Sequence, residues 1–277
     1  MGEMNLMITM PTGGQVATPA VKSLIGLTQY LQRTGIAFTY QTYEFSDIVF
    51  SRNQLAACFL SDARFSHVLM LDSDLAYPVK TLQRMIAFEA PFTAATYPQK
   101  FIPWQRLRRL IEEDAKRPAN QRRATRDLVA ASWTFTLQRG GFNGRPWSPR
   151  RRNGFMTVPS TGTGMMLVAR EVFEQMIENG SAPRLARHEG LIDRRAARYH
   201  DFFSHRRNRD GSFLYAEDQS FCLRWVEDCG GDIWLDTEAD LTHWGPHGFA
   251  GRYANRAPFD FPDHADATPG QRAAETT

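Results

Sequence analysis

The chain has 277 residues, of which 42% are hydrophobic and 23% are charged, as in an ordinary globular protein. No apolar run reaches the roughly 18 residues of a membrane span, and the apolar start at 5–10 is too short for a secretory signal. Cys58, Cys222 and Cys229 are too few for a disulfide framework. We expect reduced thiols and a cytoplasmic protein.

The net charge of +3 conceals an uneven distribution. Between Trp104 and Arg152 there are thirteen Lys and Arg residues against four Asp and Glu residues, a local charge of +9, so the rest of the chain carries −6. Such a block is either an ordinary solvated surface of an arginine-rich protein or a surface for an anionic partner. Candidate partners are a phosphorylated molecule, an anionic polymer, a membrane surface and nucleic acid.

The first hundred residues alternate apolar strands with amphipathic helices. Strands are predicted at 5–10, 37–43, 67–71 and 92–96, and helices at 18–34, 48–61 and 78–88. Pro11-Thr12-Gly13-Gly14 is a predicted turn after the first strand. The alternation predicts an α/β fold with a largely parallel sheet and right-handed crossovers.

After Lys100 the arginine-rich stretch interrupts this alternation. Residues 104–131 are polar and partly helical in pattern, 132–138 alternate like a strand, and 140–154 are rich in turn residues. We expect about 101–158 to be an insertion within one domain that spans 1–253. Regular elements return at 165–168 (strand), 170–179 (helix), 216–229 (helix) and 232–235 (strand), and 254–277 is expected to be a mobile tail.

The segment from His67 to Pro78 places two carboxylates at the end of a buried strand. His67 to Leu71 is an apolar run, and Asp72-Ser73-Asp74 follows it directly. Ligands of open α/β sheets bind beyond the carboxyl ends of the strands. Carboxylates suit Mg²⁺ or Mn²⁺, and these cations suit phosphates. Capping of the next helix would need only one carboxylate, so a cation site is favoured over a cap.

Three further segments have both a structural and a chemical interpretation. Glu217 and Asp218 open a helix, where they either stabilise its dipole or, with Asp218 preferred, act as a general base. His243 lies in a predicted loop rich in Gly, Pro and aromatic residues and is either solvated or a third metal ligand. Gly162-Thr163-Gly164 is either a tight turn or a close approach of the backbone to a ligand.

Taken in order, four segments resemble nucleotide-sugar glycosyltransferases of the GT-A fold, close to the broad family-2-like set. Together they cover roughly residues 5–248. The segments are the first strand with Pro11-Thr12-Gly13, the motif Asp72-Ser73-Asp74, residues 160–170 with their glycine turn, and Glu217-Asp218 with His243 downstream.

The resemblance implies a GT-A-type, Rossmann-like single domain that moves a sugar from a nucleotide-sugar, by default a UDP-sugar, to an acceptor hydroxyl. It implies Mn²⁺ or Mg²⁺ held by Asp74 with Asp72 and His243. Asp218, with Glu217 beside it, would be the base of an inverting reaction. Donor contacts are implied for Pro11, Thr12, Gly13, Arg52, Asn53, Ser73 and Lys100, and acceptor or sugar contacts for Gly162, Thr163, Gly164 and Trp244.

Several of these assignments keep a plainer alternative. Arg52 and Lys100 are equally candidates for surface ion pairs. Trp244, like Trp133 and Trp147, either stacks on a sugar or base or packs in the core. The arginine-rich insertion is expected on the acceptor side, where it fits an anionic acceptor such as a glycan or a hydroxylated DNA base.

Two other classes of protein remain open at this point. A phosphotransferase would use Asp72 as its nucleophile, but in such enzymes the aspartate pair usually follows the first strand, whereas Asp72 follows the third. A protein without catalytic activity would bind nucleic acid or another polyanion through the basic block.

Overall fold

The computed structural model describes residues 4–138, 147–185 and 199–256. Its seven α-helices are α1 (Thr18–Thr34), α2 (Ile48–Ser61), α3 (Val79–Ala87), α4 (Trp104–Ala115), α5 (Thr125–Ser132), α6 (Arg170–Glu178) and α7 (Glu217–Leu223). The strands are β1 (Asn5–Thr12), β2 (Ala37–Glu44), β3 (His67–Leu71), β4 (Leu75–Ala76), β5 (Phe92–Ala95), β6 (Leu137–Gln138), β7 (Arg151–Arg152), β8 (Phe155–Val158), β9 (Ser160–Thr161), β10 (Met165–Ala169), β11 (Ile233–Asp236), β12 (Asp240–Trp244) and β13 (Gly248–Arg252).

Eight strands form one central sheet in the order β2-β1-β3-β10-β5-β11-β8-β7. Six of them run in one direction, and β10 and β8 run against them. The predicted α/β fold with a mostly parallel sheet is therefore confirmed. The reversed strand β10 lies between β3 and β5, so the sheet is mixed at its centre.

Helices cover both faces of the sheet, which explains the unbroken apolar run of β3. Val68 and Met70 belong to one core with residues of α2, α6 and α7. Leu69 and Leu71 belong to the other core with residues of α1 and α3. A strand buried on both faces has no polar side to alternate with, so its sequence is apolar throughout.

The bounds predicted for α1 and α2 are confirmed, and local chemistry fixes them. Gly35 ends α1 in the left-handed conformation at φ 73°, where its N–H bonds the last turn. Asp47 begins α2 by accepting a hydrogen bond from the backbone N–H of Phe50 at 3.0 Å. The predicted turn at residues 11–14 begins later, because Pro11 and Thr12 continue β1.

A three-stranded sheet, β13-β12-β4, corrects the expectation for His243. This histidine lies within β12 and not in a loop, and it pairs with Leu75 of β4. Gly245 and Pro246, which suggested a loop, belong to the turn between β12 and β13. The second sheet therefore carries His243 back to the residues that follow β3.

The strand predicted at 132–138 is mostly wrong. Helix α5 extends to Ser132, and only Leu137 and Gln138 form a strand. The helix is retained because Leu128 and Ala131 pack against Leu110 of α4. The expected insertion at 101–158 contributes α4 and α5 but also β7 and β8 of the central sheet.

The last predicted helix is also shorter in its α-helical part. Helix α7 ends at Leu223 and continues as a π-helical turn from Arg224 to Asp228.

Within the described residues, no helix has the length and apolar character needed to cross a membrane. The first residues of the expected tail, which starts at 254, belong to a short 3₁₀ helix, Tyr253–Asn255. The rest of that tail, residues 257–277, lies outside the described part of the chain, and so do the predicted turn residues 140–146 of the insertion.

Candidate functional site

A cleft of about 340 Å³ opens beyond the carboxyl ends of β1 and β3. This is the sheet edge at which α/β proteins bind ligands. Eight residues predicted from the sequence line the cleft: Pro11, Thr12, Gly13, Arg52, Asp72, Ser73, Asp74 and His243. The structure thus brings together residues that lie up to 232 positions apart in the sequence, from Pro11 to His243.

Both carboxylate oxygens of Asp72 are engaged by neighbouring side chains. Arg52 Nη2 donates to Oδ1 at 2.8 Å, and the Tyr97 hydroxyl donates to Oδ2 at 3.2 Å. Arg52 is only 6% exposed, so its charge depends on this pairing. Asp72 is therefore held in one orientation by a buried cation and a buried phenol.

Asp74 faces a different set of partners at the mouth of the cleft. Lys100 Nζ lies 2.5 Å from Oδ2, and His243 Nε2 lies 3.4 Å from Oδ1. Burial acts to raise the pKa of Asp74, but the hydrogen bonds and charges of His243 and Lys100 outweigh burial and hold that pKa below its ordinary value. Asp74 is consequently an ionised carboxylate over the whole physiological range of pH.

The second sheet sets the relative position of Asp74 and His243. The backbone N–H of Trp244 donates to the carbonyl oxygen of Asp74 at 2.8 Å, directly after the pairing of His243 with Leu75. On the other side of the ring, His243 Nδ1 lies 2.9 Å from the carbonyl oxygen of Pro98. A carbonyl only accepts, so Nδ1 carries a proton and Nε2 faces Asp74.

Asp74 and His243 are suitable ligands for a divalent cation. A bound cation would take the place of the Nε2 proton between His243 and Asp74, and the bond from Nδ1 to Pro98 is the outer-shell contact typical of a metal-binding histidine. Asp72 is less available because the partners of its two oxygens, Arg52 and Tyr97, are buried, whereas Lys100 beside Asp74 is 35% exposed. Among the described residues, no group of three or more His, Cys, Asp or Glu side chains is arranged to hold a metal.

The predicted glycine turn packs against Tyr97 and is buried. The Tyr97 hydroxyl accepts a hydrogen bond from the backbone N–H of Gly164 at 3.2 Å. A Cβ at Gly164 would lie 2.3 Å from both Tyr97 Cε1 and Leu75 Cδ1, and one at Gly162 would lie 2.4 Å from the Tyr97 hydroxyl. The close approach made by these glycines is to Tyr97, which in turn holds Asp72.

We expect a Gly164→Ala substitution to destabilise the protein by about 1–3 kcal/mol, the usual result of overpacking a core. The added methyl group must displace the Tyr97 ring or Leu75. Denaturant unfolding measures the loss, and Gly13→Ala is a suitable control, because a Cβ at Gly13 meets no atom within 4 Å. Equal stability of the two variants would show that the contact at Gly164 is not tight.

Asp218 is not in the cleft lining, but it lies close enough to Arg52, Asp72 and Tyr97 to interact with them electrostatically. Its neighbour Glu217 places Oε1 3.8 Å from Arg52 Nε. Burial, followed by the negative charge of Glu217, raises the pKa of Asp218 to about 6. A carboxyl group with such a pKa can exchange a proton near neutral pH, as a general base requires. The raised pKa is compatible with the general-base role of Asp218, which stays a prediction.

Eight of the sixteen predicted site residues lie outside the cleft lining: Lys100, Gly162, Gly164, Glu217 and Asp218, described above, and Asn53, Thr163 and Trp244. Asn53 is directed away, because its Oδ1 accepts from the backbone N–H groups of Phe202 and Phe203 and its Nδ2 donates to Asp201. Thr163 is 1% exposed. Trp244 is half-buried, with its ring packed over Gly248. Of the other tryptophans, Trp133 packs in the core, and Trp147 donates to the carbonyl oxygen of Thr157.

Sequence reasoning did not identify Tyr97, although this residue connects the parts of the site. Its ring contacts His243 edge-on at a centroid distance of 4.9 Å, while its hydroxyl bonds Asp72. Burial, and next the nearby carboxylate of Asp72, raises the pKa of Tyr97 well above its ordinary value, so the phenol stays protonated and donates. Its position directly after β5, at the same sheet edge as Asp72, is the signal that could have identified it.

Comparison with known proteins adds structural similarities only. No protein-family model matches the chain, and no curated protein does so either. The fold is similar to that of A197 from STIV, with 14% identity, a TM-score of 0.46, and coverage of 91% of this chain and 92% of the other. The fold is also similar to that of a Drosophila β-1,4-galactosyltransferase 7 mutant in complex with manganese, UDP-Gal and xylobiose. The sequence identity is 14%, the TM-score is 0.40, and the match covers 84% of this chain and 65% of the other.

Glycosyltransferases recur among these similar structures. An enzyme involved in the glycosylation of the major capsid of PBCV-1 shares 13% identity with the chain at a TM-score of 0.30, covering 68% of this chain and 69% of the other. At these identities and TM-scores, the similarities do not decide the activity. The activity has to be inferred from the residues of the cleft.

Proposed function

We propose that this protein is a glycosyltransferase that moves a sugar from a nucleoside diphosphate sugar, by default a UDP-sugar, to an acceptor hydroxyl. The observation that carries the proposal is the set of side chains at one cleft: Asp74, His243 and Arg52 in its lining, Lys100 paired with Asp74, and Asp218 with its raised pKa near Arg52. A cation-binding pair beside two basic side chains suits a diphosphate, and a carboxyl group that titrates near neutral pH suits deprotonation of a hydroxyl.

Each group has a distinct role in the proposed reaction. Asp74 and His243 would hold Mn²⁺ or Mg²⁺, which when bound stabilises negative charge on the diphosphate leaving group. Lys100 lies within reach of the same phosphates, because its ammonium group already contacts Asp74. Pro11, Thr12, Gly13 and Ser73 line the wall against which the nucleotide lies.

The chemical step uses Asp218 as the base. The acceptor oxygen forms a bond to the anomeric carbon of the sugar while the bond from that carbon to the diphosphate oxygen breaks. The proton of the acceptor hydroxyl passes to Asp218, and the bonding electron pair leaves with the nucleoside diphosphate. This step inverts the anomeric centre, since the base and the leaving group act from opposite faces.

The geometry gives less support to a phosphotransferase. An attacking aspartate needs an oxygen with an accessible lone pair, whereas the two oxygens of Asp72 already accept hydrogen bonds from Arg52 and Tyr97. Asp72 is better placed as a fixed negative group that orients Arg52 toward the cleft.

Calorimetric titration with UDP, GDP and CMP, each with Mn²⁺ and again with EDTA, tests the donor site. We expect one nucleotide to bind with Mn²⁺ and to lose at least roughly tenfold in affinity in EDTA or in an Asp74→Asn variant, which is about 1.4 kcal/mol. Asp127→Asn is the matched control, because Asp127 is 49% exposed and its ion-pair partner among the described residues is a surface arginine, Arg126. Failure of every nucleotide to bind the folded protein would overturn the proposed function.

A further inference from the structure

A second and larger cavity, of about 800 Å³, lies on the other side of Lys100 from the donor cleft. We call it the Trp104 groove. Phe101, Trp104 and Phe249 supply its apolar surface, and Lys100, Arg106 and Arg109 supply its positive charge. None of the donor-site roles described above uses any of these residues except Lys100.

Two of the three aromatic side chains of this groove are unusually accessible. Phe101 is 62% exposed and Trp104 is 68% exposed. Large apolar side chains grouped at one exposed place usually mark a binding surface. The segment is held in shape by its own backbone, since Phe101 N–H donates to Gln99 O at 2.7 Å and Trp104 N–H donates to Ile102 O at 3.0 Å. The indole is thus presented on a defined turn at the start of α4.

The groove carries positive charge without a compensating acid. Among the described residues that line it, none has a carboxylate side chain. Arg106 is fixed in place, because its Nη1 donates to the carbonyl oxygen of Ser132 at 3.0 Å and to Thr134 Oγ1 at 3.1 Å. Arg109 is exposed and has no hydrogen-bond or ion-pair partner within the described part of the chain. The guanidinium of Arg109 is consequently available to an anionic ligand.

The groove and the donor cleft meet at a single ion pair. Lys100 lines the groove, and its Nζ lies 2.5 Å from Oδ2 of Asp74, which lines the cleft. The stem of Lys100 runs past Gly245, where a Cβ would lie 3.2 Å from Lys100 Cδ. A molecule that fills the groove therefore ends next to Asp74 at the edge of the donor cleft.

We propose that the Trp104 groove binds the acceptor, and that this acceptor is a glycan bearing anionic groups. The inference rests on the proposed function and specifies its substrate class. The apolar face of a sugar ring covers the Trp104 indole, and a carboxylate or sulfate on a neighbouring ring pairs with Arg109. The glycan then extends past Lys100 and presents its end to the donor cleft.

The observations favour a glycan over nucleic acid or a lipid surface. A surface that binds nucleic acid needs a series of cations along the phosphate backbone. Here the described lining of the groove supplies three cations, and Arg108 on the same helix is already paired with Glu112 at 2.8 Å. One exposed indole beside one available guanidinium matches a short, sparsely charged ligand.

Binding of defined oligosaccharides in the absence of donor tests this inference. The probes are a hyaluronan hexasaccharide and a heparin-derived hexasaccharide, with maltohexaose as the neutral counterpart. An oligothymidylate and vesicles of anionic phospholipid represent the competing classes. We expect an anionic hexasaccharide to bind, maltohexaose to bind at least roughly tenfold more weakly, and Trp104→Ala and Arg109→Gln each to cost roughly tenfold.

The control variant is Arg126→Gln, which removes one charge from the same basic block at a side chain that is 89% exposed and lies outside the groove. Absence of oligosaccharide binding, equal affinity for maltohexaose, or equal losses in Arg126→Gln and Arg109→Gln would overturn the inference. Tighter binding of the oligonucleotide or the vesicles, lost in Trp104→Ala, would also overturn it in favour of that class.

The Asp74→Asn variant separates this inference from the proposed function. We expect it to lose affinity for the nucleotide and to keep its affinity for the anionic hexasaccharide. Nucleotide binding without oligosaccharide binding would remove only the acceptor assignment. Oligosaccharide binding without binding of any nucleotide would leave the groove as a glycan site and would remove the transferase.

Discussion

Replacement of Asp218 by asparagine is expected to slow sugar transfer by about two to four orders of magnitude, the usual contribution of a general base. Asparagine preserves the shape of the side chain and can still accept the hydrogen bond that the backbone N–H of Gln219 donates to Asp218 Oδ1 at 2.6 Å. It cannot accept the proton of the acceptor hydroxyl. The loss should therefore fall on kcat, with the affinity for the nucleotide little changed.

The same substitution is expected to stabilise the folded protein at neutral pH. Burial and the charge of Glu217 raise the pKa of Asp218 from 3.8 to about 6. A carboxyl group whose pKa rises on folding binds its proton more tightly in the folded state, so folding becomes less favourable as pH increases from 3.8 to about 6. Asparagine carries no charge and removes this cost, which is at most about 3 kcal/mol before allowance for solvent screening.

Two measurements on the Asp218→Asn variant are decisive. The pH dependence of kcat/KM should show a loss of activity below about pH 6 in the wild-type protein, where the base is protonated, in keeping with its pKa of about 6. The residual activity of the variant should lack that dependence. Thermal unfolding at pH 7 should show a higher midpoint for the variant than for Asp240→Asn, a control at an exposed carboxylate. A variant with wild-type activity would exclude Asp218 as the base and would favour a retaining reaction.

The sequence predicts the part of this site that depends on local pattern. The apolar run of β3 and the bounds of α1 and α2 follow from signals contained within a few neighbouring residues. Because parallel strands end at one edge of the sheet, these signals also predict that Asp72 and Asp74 lie at the ligand-binding edge. Local pattern and sheet topology were sufficient to predict the place of these two aspartates in the fold.

Contacts between distant segments account for what the sequence did not predict. Asn53 appeared suitable for a nucleotide, but its amide bonds Asp201, which is 148 positions away. His243 was expected in a loop, and only its pairing with Leu75 brings it to Asp74. Tyr97 was overlooked because a tyrosine after a strand has no distinctive pattern until the carboxylate beside it is known.

Replacement of Arg52 by methionine is expected to destabilise the protein by about 3 kcal/mol, since removal of one partner leaves the other as an uncompensated charge. Arg52 is 6% exposed and Asp72 is 21% exposed, so water can only partly solvate the remaining carboxylate. Methionine fills most of the volume of the arginine stem, which limits the loss from packing. Denaturant unfolding at pH 7 measures the change.

The double variant Arg52→Met with Asp72→Asn is the internal control for that experiment. It removes both charges, and asparagine can still accept the hydrogen bond from the Tyr97 hydroxyl. We expect it to recover at least half of the stability lost in the single variant, with a coupling energy of about 1–3 kcal/mol between the two sites. If the double variant is no more stable than Arg52→Met, the loss comes from packing around the arginine stem and not from the unpaired carboxylate.

The double variant also separates the two roles of Arg52. Its guanidinium both holds Asp72 and lines the donor cleft beside Ser73 and Asp74. In the double variant the fold is restored but the cation is absent, so we expect the affinity for the nucleotide diphosphate to stay at least roughly tenfold below that of the wild type. If the folded double variant binds the nucleotide as tightly as the wild type does, Arg52 serves the fold alone, and the phosphate contacts must come from Lys100 and the cation held by Asp74 and His243.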